Sequence, residues 1–363
     1  MFISFKGGRG AEEACARPVG QGGSVLMTAS DKPGEARHVP VLREEAVRLL
    51  APRAGGVYVD GTFGAGGHAR AVLEVPGTKV LAIDRDPEAI AAGRELERRF
   101  EGRLELIEGR FSRMEALLAE RGIERVDGIL LDLGVSSMQL DEAGRGFSFL
   151  RPGPLDMRME GRGLSAAEVV NSASEKALAD ILWRLGEERR SRAIARAIVA
   201  RRARAPITTT EELAEIVEGV LGAPRPGRSH PATRTFQALR IFVNRELEEV
   251  AAGLRAAEGL LRPGGRLAVI SFHSLEDRIV KRFFGICCGR AGGPSRHLPP
   301  VEGPEASFID LARGGIAPGE AEIARNPRAR SARLRGGERT GAPPVAPGDD
   351  ALGLPRIRGR ETG

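Results

Sequence analysis

Asp60-Gly61-Thr62-Phe63-Gly64-Ala65-Gly66-Gly67-His68 lies between the apolar Val57-Tyr58-Val59 and a stretch of helical character. Glycines at a strand end let a ligand come against the backbone, and free N–H groups at the start of the next helix bind a carboxylate or a phosphate. About twenty residues further on, Val80-Leu81-Ala82-Ile83 ends in Asp84, where an acid can hold a ribose 2′-hydroxyl. The two strand ends together call for an adenosine-containing cofactor, and its identity decides the chemistry.

Gly64-x-Gly66-x-x-Ala69 fits the dinucleotide fingerprint, which keeps an NAD-linked oxidoreductase in play. Three features favour S-adenosylmethionine. Asp60 stands directly before the glycines, where it can receive an ammonium, directly or through water, and would repel a pyrophosphate. Glu108-Gly109-Arg110-Phe111-Ser112 puts an aromatic after the third apolar segment, where it can face an adenine. Asp132-Leu133-Gly134 ends the fourth, so Asp60, Asp84 and Asp132 ring one sheet edge with negative charge suited to a sulfonium ligand. Leu261-Arg262-Pro263-Gly264-Gly265 before an apolar run is likewise frequent in class I methyltransferases.

The elements that must position these residues follow from periodicity. Short apolar segments at Val57–Asp60, Lys79–Asp84, Leu104–Glu108 and Gly128–Leu133 alternate with helical stretches at Pro87–Phe100 and Ser112–Arg121, the pattern of a parallel sheet with crossover helices. Asp86-Pro87 suits a helix start, with Asp as N-cap and Pro in the first turn. After Gly134 the strand signal stops. Ser165–Asn171, Glu175–Arg204, Thr209–Leu221 and Ala232–Leu261 read as helices, the third opened by the capping box Thr209-x-x-Glu212. A strand resumes at Arg266–Phe272. The expected fold class is therefore α/β, a Rossmann-like class I methyltransferase sheet with an inserted all-helical substrate-recognition domain. The expected boundaries are a disordered N-terminal extension over 1–36, the cofactor-binding domain over 37–140 and 245–335, the helical insert over 141–244, and a disordered tail over 336–363. Met27 is an alternative start to Met1.

At 363 residues, 41% of them hydrophobic, the chain can bury a large core, and no apolar run approaches the roughly 18 residues of a membrane span. Cys15, Cys287 and Cys288 form neither a disulfide framework nor a spaced metal site, so no metal is expected and the chain reads as cytoplasmic. The formal charge is +6. Its clustering suits a polyanionic partner, against the plainer reading of an arginine-rich composition. Arg189, Arg190, Arg192, Arg196, Arg201, Arg202 and Arg204 crowd the insert, Arg234, Arg240 and Arg245 recur at near-helical spacing toward the cleft, and Arg325–Arg335 is a basic tail.

These motifs resemble the bacterial small-subunit ribosomal RNA methyltransferase H family (MraW). The resemblance is carried by His38-Val39-Pro40-Val41-Leu42, Asp60–His68, Ala82-Ile83-Asp84-Arg85-Asp86, Asp127–Ser137, Arg145-Gly146-Phe147-Ser148-Phe149, Gly153–Met159, His230–Ile241, Ser271–Asp277 and Asn326–Ser331, and covers about 37–335. It implies methylation of the exocyclic N4 of a cytidine in the decoding region of 16S ribosomal RNA with S-adenosylmethionine, and hence the small ribosomal subunit as partner. It also implies cofactor contacts at Gly66, Gly67, His68, Asp84, Phe111, Asp132 and Gln139, to which the loop itself adds Asp60 and Gly64. A homodimer is left open.

Transfer to N4 requires an acceptor that localises the amine lone pair and aligns it with the methyl, but no strong base. Asp132, Ser136 and Ser137 follow the fourth strand, where amino-methyltransferases of related fold carry an acid or amide, so they are the catalytic candidates. Phe147 and Phe149 are candidates to stack a flipped base. Each has a plainer alternative: Asp60 and Asp132 as helix caps, Phe147 and Phe149 as packing, Gln139 as a loop hydrogen-bonder, His230 and His273 as core histidines. A catalytically idle RNA-binding assembly factor is the remaining alternative.

Overall fold

The computed structural model describes residues 40–290 and 305–357. Seven strands form one sheet: β1 (Val57–Asp60), β2 (Lys79–Asp84), β3 (Leu104–Glu108), β4 (Val126–Asp132), β5 (Leu261–Ser271), β6 (Phe308–Asp310) and β7 (Arg333–Arg339). Their order is β3-β2-β1-β4-β5-β7-β6. The first five are mutually parallel, and β7 runs antiparallel between β5 and β6. This is the Rossmann-like α/β sheet expected from the sequence, with one antiparallel strand inserted at the β5 edge. Helices α1 (Arg43–Leu50), α2 (Gly67–Leu73), α3 (Pro87–Arg99), α4 (Met114–Ala119) and α5 (Ser137–Asp141) accompany the first four strands. Then come α6 (Ala166–Ser172), α7 (Glu175–Gly186), α8 (Ser191–Arg202), α9 (Thr210–Leu221) and α10 (Thr233–Asn244), before α11 (Glu246–Leu260) leads back into β5. The chain continues through α12 (Ser274–Cys287), α13 (Glu320–Arg325) and α14 (Asp349–Leu352).

The central strands β1, β2 and β4 are apolar along most of their length because both faces are covered. Tyr58, Val80, Ala82 and Leu130 point into one core with Leu49, Phe63 and Ile90. Their neighbours Val59, Leu81, Ile83, Ile129 and Leu131 point the other way. That second core is continuous with the apolar faces of α7, α8 and α10, through Leu178, Ile181, Ile194, Ile198, Phe236 and Leu239. Ile83, Ile129 and Leu131 are fully shielded, and each contributes roughly 1.5–3 kcal/mol of transfer free energy. The segment after Gly134 is thus bound to the sheet by a shared core.

Three expectations are corrected. The stretch Glu175–Arg204 is two helices, broken at Glu187, which takes a left-handed φ of 51°. Ala232–Leu261 is also two helices, broken at Arg245 with φ 54°. That turn folds Glu246 back onto Arg240 with two contacts of 2.9 Å. Finally, 336–363 is not a disordered tail over its described part, to residue 357. Its glycines and arginines hide a strand: a Cβ at Gly336 would stand 2.5 Å from Leu49 Cδ2 and 2.6 Å from Leu267 O, so only glycine lets β7 lie this close. Arg339 is buried with its guanidinium donating to the carbonyls of Glu258, Ser307 and Thr340. The Glu258 carboxylate in turn accepts the N–H groups of Val345 and Ala346. The extension over 1–36, Met27, Cys15, His38 and Val39 lie outside the described residues.

Candidate functional site

Strand order reverses between β1 and β4, and a doubly wound sheet opens its ligand crevice at the carboxyl ends flanking that reversal. The glycine loop sits there, laced to its neighbours. Gly61 N–H donates to Leu130 O at 2.9 Å and Phe63 N–H to Ile83 O at 3.0 Å. The Asp132 N–H donates to Thr62 Oγ1 at 2.6 Å. Asp84 completes the hold: its carboxylate accepts Gly64 N–H at 2.7 Å and Asp86 N–H at 2.9 Å. Gly66 caps α2 at φ 74°, and a Cβ at Gly67 would stand 2.5 Å from Pro40 Cγ. The glycines are therefore required both by backbone conformation and by close approach.

Three titratable side chains face one another inside this cradle. Asp60 is 3% exposed; one carboxylate oxygen accepts Thr62 N–H at 3.1 Å, and the other is buried without a hydrogen bond. Burial pushes its carboxyl up to about 6, helped by Asp132 and Asp84 and opposed by His68 and the Thr62 N–H. Burial alone would lower the His68 imidazolium, but Asp132 and then Asp60 outweigh it and hold it above its ordinary value. His68 Nε2 stands 3.4 Å from Asp132 Oδ2, an ion-pair separation without an aligned hydrogen bond. Asp132 Oδ1 is also buried and unsatisfied. Burial likewise raises Asp84 against the two N–H groups it accepts.

Four buried polar atoms of Asp60, His68 and Asp132 around one crevice lack a hydrogen bond, which native interiors avoid unless a ligand completes them. An ammonium, a polarised methyl donor and an amine are the complementary chemistry. The residues present therefore fit an S-adenosylmethionine molecule.

The remaining predicted residues take different places. Phe111 starts a short 3₁₀ turn after β3 and is 9% exposed; its ring lies against Gly253 of α11. Gln139 is buried, and both ends of its amide are used inside the protein. Its oxygen accepts Ser136 N–H at 3.1 Å, completing a capping box, and its nitrogen donates to Asp86 at 2.7 Å. Ser136 caps α5 and reaches over the loop, 3.7 Å from where a Cβ at Gly64 would be. Ser137 Oγ accepts Arg328 at 3.3 Å. Phe149 packs on Phe236 and His230 with centroids 4.9 and 4.5 Å apart, and Phe147 is buried beneath Arg145.

Sequence reasoning gave Asp86 only a capping role, which it has through Glu88 N–H at 3.1 Å. It is also a hub, since Gln139 and Arg145 converge on it, Arg145 at 2.9 Å while also donating to Arg158 O and Met159 O. Arg85 joins Glu160 at 2.8 Å and Asn244 O at 3.0 Å. The turn that holds Asp84 is thus bolted to the segment after residue 141. No spacing in the sequence signals these long-range pairs.

The arginines also divide. Arg240 does not line the cleft: it is enclosed, paired with Glu246, beside a His273–Glu276 pair at 3.1 Å. Burial would lower it, but Glu246 and Glu276 keep it raised. Glu246, His273 and Glu276 bring ligand atoms within 4.8 Å of one another, yet the Arg240 guanidinium already holds both Glu246 oxygens. Arg190 and Arg202 tie insert helices through Val220 O and Val170 O, and Arg335 pairs with Asp277. Arg189, Arg192, Arg196, Arg234 and Arg245 remain exposed. Among the described residues, no helix is long and apolar enough to cross a membrane.

Residues 35–340 match the model of the MraW methylase family. The chain belongs to that family. The chain is similar to the ribosomal RNA small subunit methyltransferase H of Nitrobacter hamburgensis, 60% identical over 331 residues, covering 91% of this chain and 98% of that protein. The protein of the same name from Rhodopseudomonas palustris is 60% identical over 318 residues, covering 88% and 95%. Among solved structures, an rRNA methylase from Streptococcus thermophilus shares 10% identity at a TM-score of 0.37, covering 82% of this chain and 93% of that one. As a family member the chain is a methyltransferase, and its cofactor is S-adenosylmethionine.

Proposed function

We propose that the protein methylates the exocyclic N4 of a cytidine in the decoding region of 16S ribosomal RNA within the small subunit. The relatives' names supply the ribosomal substrate, and that substrate places the work in the cytoplasm. The observation that carries the site is Asp132 Oδ1, buried and unsatisfied at the end of β4 beside the cofactor cradle.

When bound, the cofactor supplies a methyl group on a positively charged sulfur. Asp60 would hold the ammonium of its methionine end on the oxygen that lacks a partner, and the Gly66–His68 backbone would enclose that end. Asp84 would accept the ribose hydroxyls on the lone pairs not used by Gly64 and Asp86. Phe111 offers the adenine the part of its ring that Gly253 leaves uncovered. Asp132 Oδ1 accepts a hydrogen bond from the N4 amine, which localises the nitrogen lone pair and aligns it with the methyl. Asp132 Oδ1 would also take up the proton that the amine gives up once it is methylated. His68, whose protonated form Asp132 favours, fixes the carboxylate's direction from 3.4 Å away. Ser136 is close enough to the glycine loop to border the incoming base. The unit 141–244 is the RNA-recognition part, and one chain supplies every group named.

The NAD alternative is disfavoured because a pyrophosphate on this loop would face the Asp60 carboxylate. Mass spectrometry of 16S ribosomal RNA nucleosides from cells lacking the protein tests the substrate. N4-methylcytidine disappears if the proposal holds and persists if it fails.

A further inference from the structure

A groove of about 970 Å³ opens between α7, the start of α12 and residues 353–356. Arg184, Arg189, Arg234, Arg278 and Arg356 line it against one carboxylate, Glu187. Glu187 is shared already between Arg278 and Ser274, each at 2.9 Å. Arg184 and Arg356 pair with Asp180 and Asp350 at the surface, and such exposed pairs exchange readily for a phosphate.

In the midst of these cations stands Trp183, the one tryptophan of the chain, 55% exposed. Helix packing does not account for it. The buried face of α7 is Leu178, Ile181, Leu182 and Leu185, and Trp183 lies off that face. An exposed indole among guanidiniums is the combination that takes a nucleobase on the ring and its phosphates on the arginines.

The groove continues in two directions. Arg234 also lines a second concavity of about 560 Å³ with Arg225, Arg228 and His230. At the other end, Ser274 and Arg278 open α12, immediately after the carboxyl end of β5. There β5 pairs with β4 at Ile270 and Asp132, and Glu276 Oε1 borders Gly134. One basic track therefore runs from the catalytic sheet edge past Trp183 to the loop before α10.

We propose that this track binds an unpaired segment of the RNA substrate flanking the methylated base, with Trp183 stacking one nucleobase and Arg189 and Arg234 neutralising adjacent phosphates. The proposal rests on the ribosomal RNA reading above and adds where the strand lies. An unpaired segment is required because a base within a duplex offers no free face to an indole.

The single tryptophan makes the test direct. Full-length protein is titrated with deproteinised 16S ribosomal RNA while Trp183 emission and, separately, filter retention of the RNA are followed. Steady-state methylation of small subunits lacking the modification is then compared for wild type, W183A, W183F and R189E, with cofactor affinity measured by calorimetry as the check on folding. Saturable quenching that weakens with salt, a KM raised about tenfold in W183A at little-changed kcat, and recovery in W183F support the track. RNA retained and methylated with Trp183 emission unchanged, or with W183A at wild-type KM, overturns it while leaving the methylation reading intact; a protein partner for the groove would give this result. No retention of RNA and no methyl transfer overturns both.

Discussion

His68 Nε2 stands 3.4 Å from Asp132 Oδ2, while Asp132 Oδ1 is buried without a partner. The two oxygens have different duties: one is steered by a cation, the other is free to accept an amine proton. Asp132→Asn keeps the shape but replaces an anionic acceptor by an amide. Its kcat for small subunits is expected to fall by about 10²-fold or more, with cofactor affinity changed far less. His68→Gln, which removes the steering charge, is expected to lower kcat by a smaller factor. Wild-type kcat in Asp132→Asn would remove the catalytic role and leave the cofactor assignment standing.

Asp60 gives the cradle a pH dependence. Its folded carboxyl is raised to about 6 from 3.8, chiefly by burial. A raised acid contributes stability below its unfolded value that is lost as pH rises from about 4 through about 6. The free protein is therefore expected to lose stability across that window, by at most about 3 kcal/mol from this group. An ammonium bound there reverses the sign of the local field, so cofactor binding near pH 5 should release a proton and tighten as pH rises through about 6. Asp60→Asn is expected to be more stable than wild type at pH 7 without ligand, and to bind the cofactor more weakly. Calorimetry in buffers of different ionisation enthalpy measures the proton release directly. Equal heats in all buffers would show that Asp60 does not meet the ammonium.

The strand ends and their acids were legible because their signals are local. Asp60, Asp84 and Asp132 each end an apolar run, the run and its acid being contiguous in sequence, and a glycine follows Asp60 directly and Asp132 two residues on. The parallel sheet through β5 followed from the same period. What was hidden depends on partners far away in the chain. Arg339 reads as tail charge until Glu258, Ser307 and Thr340 supply carbonyls, and Arg240 reads as a cleft cation until the turn at Arg245 brings Glu246 back. Gln139 is a ligand contact by motif alone, and nothing in the sequence signals that its amide is also hydrogen-bonded to Ser136 and Asp86.

The enclosed Arg240–Glu246 pair makes a stability prediction. Removing one partner leaves the other charge desolvated and unpaired, which costs about 3–5 kcal/mol where a pair is buried. Arg240 retains some exposure, 16% of its side chain, so the lower part of that range is expected for Arg240→Met. Arg240→Met with Glu246→Leu should recover much of the loss, because both charges are then gone. Denaturant melts of the two singles and the double give the coupling. A strictly additive double would show that the pair does not act as a unit.

Gln139 separates a bracing role from direct ligand contact. Its nitrogen donates to Asp86 at 2.7 Å, and Asp86 also holds Arg145. Gln139→Glu turns that donor into a second carboxylate facing Asp86, only partly offset by Arg145. The new acid should have a raised folded value, so the variant is expected to be closest to wild-type stability at low pH and to fall behind as pH rises through that value. Gln139→Ala loses the bond and the cap, about 1–2 kcal/mol, independently of pH. Both should weaken cofactor binding in step with their loss of stability, because Asp86 adjoins Asp84, which holds the Gly64 N–H. Thermal melts at several pH values with cofactor calorimetry decide it. Affinity lost with melting temperature unchanged would make Gln139 a direct contact instead.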